Sequence, residues 1–203
     1  MKVQRQLFAA ALLLSVIVPA TAGVPATDRR EHLRLLRTQI SKQMNLSPLD
    51  RAYLDGLTIL GQPNTCREFF GGGSAQTVLT ELVIRLRETR LNDSSVGVRM
   101  SGRFTMFTEE HLSFRLFEDA ELNTAGPFLR ARVSPAEPFV PRVGSFQPNT
   151  RAVRALILLH ELAHLIQARD GAWLIPDDGN RPDLSSANTR TIEARCGEQI
   201  RLL

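Results

Sequence analysis

The chain has 203 residues, 43% of them hydrophobic and 23% charged, with a formal net charge of +4. That length suits one domain with a substantial core. A single Trp and a single Tyr among scattered arginines leave no basic-aromatic stripe, which argues against nucleic acid as a partner.

Residues 1–22 read as a secretory signal peptide. Lys2 and Arg5 give a basic start, and Leu7 to Val18 is an apolar run short of the ~20 residues a membrane span needs. Pro19 then precedes the small-residue cleavage pattern Ala20-Thr21-Ala22. Removing Lys2 and Arg5 takes the net charge from +4 to about +2. Residues 23–203 are then expected to form one exported domain, secreted or periplasmic, with no further stretch apolar enough to span a bilayer. Two cysteines, Cys66 and Cys196, suit an oxidising compartment. A bridge between them would tie the early chain to its last helix and stabilise by about 4–5 kcal/mol at most. The rival reading makes Cys196 a zinc ligand.

In chain order, Asp28 to Met44 has helical spacing, with apolar residues at 33, 36, 40 and 44. Ser47-Pro48 starts a second helix over about Leu49 to Leu60. Gln62-Pro63-Asn64 and Gly71-Gly72-Gly73-Ser74 are loop, and the triple glycine fits no phosphate-binding fingerprint. Thr77 to Arg87 is ambiguous between helix and strand. Val96 to Met100 and Arg103 to Phe107 alternate as short strands, with a hairpin expected around Ser101-Gly102. Leu112 to Phe117 reads as another strand. Asn123 to Phe128 is turn chemistry leading into an extended Leu129 to Val133, and the stretch around Phe128 to Val133 is a candidate substrate-facing edge. Pro135, Pro138, Pro141, Gly144 and Pro148 make an irregular approach to the next helix.

That helix carries His160-Glu161-Leu162-Ala163-His164. Pro148 and Asn149 or Thr150 supply its start and Gly171 its expected stop. Val153, Leu156, Ile157, Leu159, Leu162, Ala163 and Ile166 make it apolar over most of its surface, so it should be buried. Histidines four apart project from one face, a single turn from each other. Two neutral imidazoles at that spacing can take two corners of a tetrahedral zinc site, with Glu161 close enough to act on a water. Buried without partners these groups would be costly, and a metal satisfies them together.

The HELAH helix resembles the zincin class of metallopeptidases, of the gluzincin kind. The resemblance implies an α+β fold: a small, mostly antiparallel sheet packed on the buried HExxH helix, with a helical N-terminal region and a C-terminal helix. It also implies zinc on His160 and His164, Glu161 as general base, and hydrolysis of a peptide or protein substrate. A catalytic zinc needs a third protein ligand and one open position. The metzincin third histidine is absent, since Arg169-Asp170-Gly171 follows the motif, and His32 and His111 lie far upstream. A carboxylate after Gly171 is therefore expected. By resemblance Glu193 is preferred, on a final helix capped by Ser185 or Ser186 and running to about Leu202. An exposed Glu193 paired with Arg190 or Arg195 is the alternative. Asp177, Asp178 and Asp183 are the competing ligands, although Asp-Asp-Gly also reads as a plain turn. Tyr53, an arginine or His111 are open for steadying an oxyanion. Two further readings remain at this stage: a non-catalytic exported protein with a structural metal, and a different zinc-dependent amidase.

Overall fold

In the computed structural model, residues 46–109, 112–132, 139–179 and 181–203 are described. The signal peptide expected over residues 1–22, the helix expected over Asp28–Met44, His32 and His111 lie outside them. The described elements are helices α1 (Pro48–Gly61), α2 (Thr65–Phe69) and α3 (Ala75–Arg85), strands β1 (Leu86–Thr89), β2 (Val98–Glu109) and β3 (Leu112–Asn123), then helices α4 (Arg151–Leu165) and α5 (Pro182–Arg201). Mixed helices and one three-stranded sheet make this an α+β arrangement. No described helix is long and apolar enough to cross a membrane.

Local chemistry explains most boundaries. Ser47 and Asp50 form a reciprocal capping box ahead of Pro48 at the first turn of α1. The ambiguous stretch after Thr77 resolves into both possibilities. It is helical to Arg85 and extended from Leu86, where β1 finds a parallel partner in β3. The sheet order is β1-β3-β2, with β2 and β3 antiparallel.

The hairpin expected at Ser101-Gly102 is not there. Those residues sit inside β2 as an irregularity between Ser101 and Phe104, with Gly102 at φ 83°. A glycine with positive φ serves a bulge as well as it serves a turn, and the strand continues to Glu109. Among the described residues, which here stop at Arg132, the extended segment expected over Leu129 to Val133 is also absent. Residues 124–129 form turns, and only an isolated bridge joins Arg132 to Phe139.

The core surrounds α4. Leu156, Leu158, Leu159 and Leu162 have no exposed surface, and each contributes about 1.5–3 kcal/mol by burial. This helix packs against α1, α3 and α5, and more lightly on β3. A Cβ on Gly97 would come within 2.9 Å of the Ile157 side chain, so the chain just before β2 runs close against α4.

Two covalent or ionic ties hold these helices. Cys66 and Cys196 form a disulfide between α2 and α5, across a sequence separation of 130 residues. With both cysteines bridged, Cys196 is not available as a metal ligand. Arg151, at the first turn of α4, grips buried Asp55 of α1 with two bonds of 2.8 and 2.6 Å, and also donates to the Leu203 carbonyl.

Candidate metal centre

The motif helix begins as expected, with Thr150 accepting from the Val153 amide. It ends six residues before Gly171, at Leu165. Ile166 leaves the helical region because it pairs with Phe114 on β3, and the Gln167 amide donates to the Ser113 carbonyl. Gln167 then pairs with Trp173 across a reversal at Gly171, which has φ 82°. This small hairpin turns the chain back along α4. Ile175 is buried, and buried Asn188 of α5 donates to the Pro176 carbonyl at 2.8 Å. Anchored through Ile175 and Pro176, the chain delivers the next two residues, Asp177 and Asp178, to the motif histidines.

Three metal-ligating side chains meet there. The Nε2 atoms of His160 and His164 are 3.1 Å apart, with the rings edge to face. Asp178 places Oδ2 at 3.3 Å from His160 Nε2 and Oδ1 at 3.5 Å from His164 Nε2. One ligand atom from each residue lies within 4.8 Å of the others, and this is the sole such group among the described residues. Both histidines are buried and Asp178 is partly so. Two imidazole nitrogens and a carboxylate are the donor set that zinc favours.

The outer nitrogens of the two rings differ. His160 Nδ1 lies 3.1 Å from the hydroxyl of buried Thr189 on α5. His164 Nδ1 is buried with no hydrogen-bond partner, and its nearest carboxylate is Asp177 Oδ1 at 3.9 Å. A buried, unpartnered ring nitrogen costs stability and needs an explanation. Here it suits an imidazole whose inner nitrogen faces a cation.

The electrostatics follow from the same geometry. Burial alone would raise the Asp178 carboxyl. Hydrogen bonds from His160 and His164 outweigh it and hold the group well below the usual carboxylate range, so it is ionised. Burial pushes the Glu161 carboxyl up to about 7, with His160 opposing the rise and Asp178 adding to it. Glu161 makes no hydrogen bond among the described residues and remains half-buried at the edge of the site. A carboxyl near neutrality with free oxygens can both accept and return a proton.

The other candidates are placed elsewhere. Glu193, the preferred third ligand, does not join the cluster. Its carboxylate accepts from the Ser145 amide at 3.0 Å and from the Ser145 hydroxyl, and Arg201 donates to it at 3.2 Å. Glu193 thus holds the Val143–Phe146 turn against α5. The resemblance pointed to the correct helix, but that helix contributes Thr189 and Asn188 instead. Asp183 lies in the exposed first turn of α5, 3.4 Å from Arg181. The α5 helix starts at Pro182, ahead of the caps expected at Ser185 or Ser186. Tyr53 bonds Thr80 between α1 and α3.

Sequence reasoning did not single out Arg115, Asn188 or Thr189 as parts of the site. Asn188 and Thr189 lie one turn before Glu193, so helical spacing from that residue could have found them. Nothing local marks Arg115, an ordinary-looking basic residue within a strand. Comparison of the chain with protein-family models, curated proteins and solved structures finds no match.

Proposed function

We propose that this chain is an exported zinc-dependent hydrolase of zincin type, cleaving peptide bonds. The observation that carries the reading is the convergence of His160 Nε2, His164 Nε2 and ionised Asp178, with the free carboxyl of Glu161 beside them. His160, His164 and Asp178 would hold the ion. Three protein ligands without a fourth from the described residues suit a catalytic site better than a closed structural one. When bound, zinc would supply a Lewis acid that polarises a carbonyl and makes a water more acidic.

Glu161 is suited to take the proton of an attacking water and pass it to the departing amine nitrogen. Its raised proton affinity puts it near the operating pH at which such a transfer works in both directions. Thr189 orients His160 by its bond to Nδ1. The zincin-like packing is supported by β3 touching α4 and pairing through Phe114 with Ile166, the residue that follows the helix. Export is supported by the disulfide and by the N-terminal residues 1–22 as read above.

Glu161→Gln separates this reading from a structural metal. It should keep wild-type zinc content while losing hydrolysis of a quenched fluorescent peptide library by about a hundredfold or more. Full turnover by Glu161→Gln would remove Glu161 as the base. Zinc bound with no cleavage by the wild type would favour the structural site.

A further inference from the structure

We infer that Arg115 is a positioning residue for the metal centre, acting through Asp177 on His164. The inference rests on the metal-binding reading above and assigns residues that hold one of its ligands. Arg115 stands on β3, away from both the motif helix and the acidic loop, and is 3% exposed. A buried guanidinium left unmatched would be costly, and this one is matched on every side. Its Nε donates to the His164 backbone carbonyl at 3.0 Å. Its two terminal nitrogens donate one to each oxygen of Asp177, Nη1 to Oδ2 at 3.0 Å and Nη2 to Oδ1. The Trp173 ring covers it, with Cζ 3.9 Å from the centroid.

The fork matters because Asp177 needs holding. Its side chain is 60% exposed and follows a loop, yet its Oδ1 lies 3.9 Å from the unpartnered Nδ1 of His164. A shift of about 1 Å would make that approach a hydrogen bond. An imidazole that ligates through Nε2 presents its proton on Nδ1, and a carboxylate there fixes the ring and strengthens the ligand. Bidentate pairing fixes the plane of the carboxylate, which a single point charge does not. It also offsets the charge of Asp177, so that this carboxylate stays outside the ligand set that Asp178 completes. Arg115 thereby links the sheet to the geometry of His164.

The test reads zinc affinity by competition with a chelator, together with the His164 Nδ1 proton by NMR of the zinc-loaded chain. Asp177→Ala and Arg115→Lys should each weaken zinc about 10–100-fold and lose the slowly exchanging Nδ1 proton. The double variant should bind no more weakly than Asp177→Ala, because both act through one contact. Arg87→Lys, in the exposed pair with Asp119, should leave both readouts unchanged. Wild-type affinity in both site variants would overturn the inference and leave the metal centre standing. Loss of zinc from Asp177→Ala as complete as from Asp178→Ala would make Asp177 a ligand and overturn it too. A wild type that takes no zinc removes the metal reading and this inference with it. Asp177→Ala, at an exposed side chain, decides alone should Arg115→Lys fail to fold.

Discussion

Asp178 Oδ2 stands 3.3 Å from His160 Nε2, although eighteen residues separate the two in sequence. The early end of α4 at Leu165 creates this meeting. Were the helix to run on to Gly171, the acidic loop would be carried about 9 Å further along the axis, at 1.5 Å per residue. The Ile166–Phe114 bridge therefore contributes to the site as directly as the histidine spacing does.

Glu193 is structural in this arrangement. Glu193→Ala should keep wild-type zinc affinity and lose about 1–3 kcal/mol of stability, because it releases Ser145 and Arg201 together. Chelator competition and urea unfolding check the two halves separately. Loss of zinc with unchanged stability would return Glu193 to the ligand set.

Thr189→Val keeps the volume and removes the hydroxyl that meets His160 Nδ1. Zinc affinity should fall about tenfold, at the lower end of what outer contacts to a ligating histidine contribute. Isothermal titration with zinc measures it, and an unchanged affinity would show that Thr189 only packs.

The metal-free protein should carry a pH signature at Glu161. Its folded-state pKa of about 7 lies above the ordinary value of 4.5. The folded state then binds more protons between those values, so this group's stability is fully present below about pH 4.5 and is lost as pH rises to about 7. Glu161→Gln lacks that loss. Its stability relative to wild type should therefore increase by about 1–3 kcal/mol between pH 4.5 and pH 8 in metal-free denaturant titrations. A difference independent of pH would contradict the burial of this carboxyl.

Replacing Cys66 and Cys196 together by alanine should cost about 2–5 kcal/mol, near the upper end because the closed loop is long. Guanidinium unfolding under oxidising conditions reports the loss. Equal stability with and without the bridge would mean that other contacts already fix α5.

Much of the frame was legible in the residues themselves. Ser47, Pro48 and Asp50 announce α1, and Thr150 caps the motif helix, because caps are short-range chemistry. The HELAH spacing and the greasy flanks placed two histidines on one face of a buried helix by periodicity alone. The misses share one cause. Gly102 can serve a turn or a bulge, and only the pairing of β2 with β3 decides which. Ile166 continues the apolar helical pattern, and only Phe114 draws it out of the helix. Asp177 and Asp178 are turn-like by composition, and their separate roles depend on Arg115 and Asn188, brought from other elements. Partners far apart in sequence leave no local trace. Asp178, which joins the two histidines, was among the named alternatives, but nothing in the loop itself ranked it above Glu193.

His160, His164 and Asp178 are proposed to hold one zinc together. Zinc titration of the wild type beside Asp178→Ala, each followed by elemental analysis, tests it most directly. One zinc per wild-type chain is expected, with an affinity lower by about a hundredfold or more when Asp178 is removed. A wild type that retains no zinc, or an Asp178→Ala chain that binds it equally well, would overturn this ligand set.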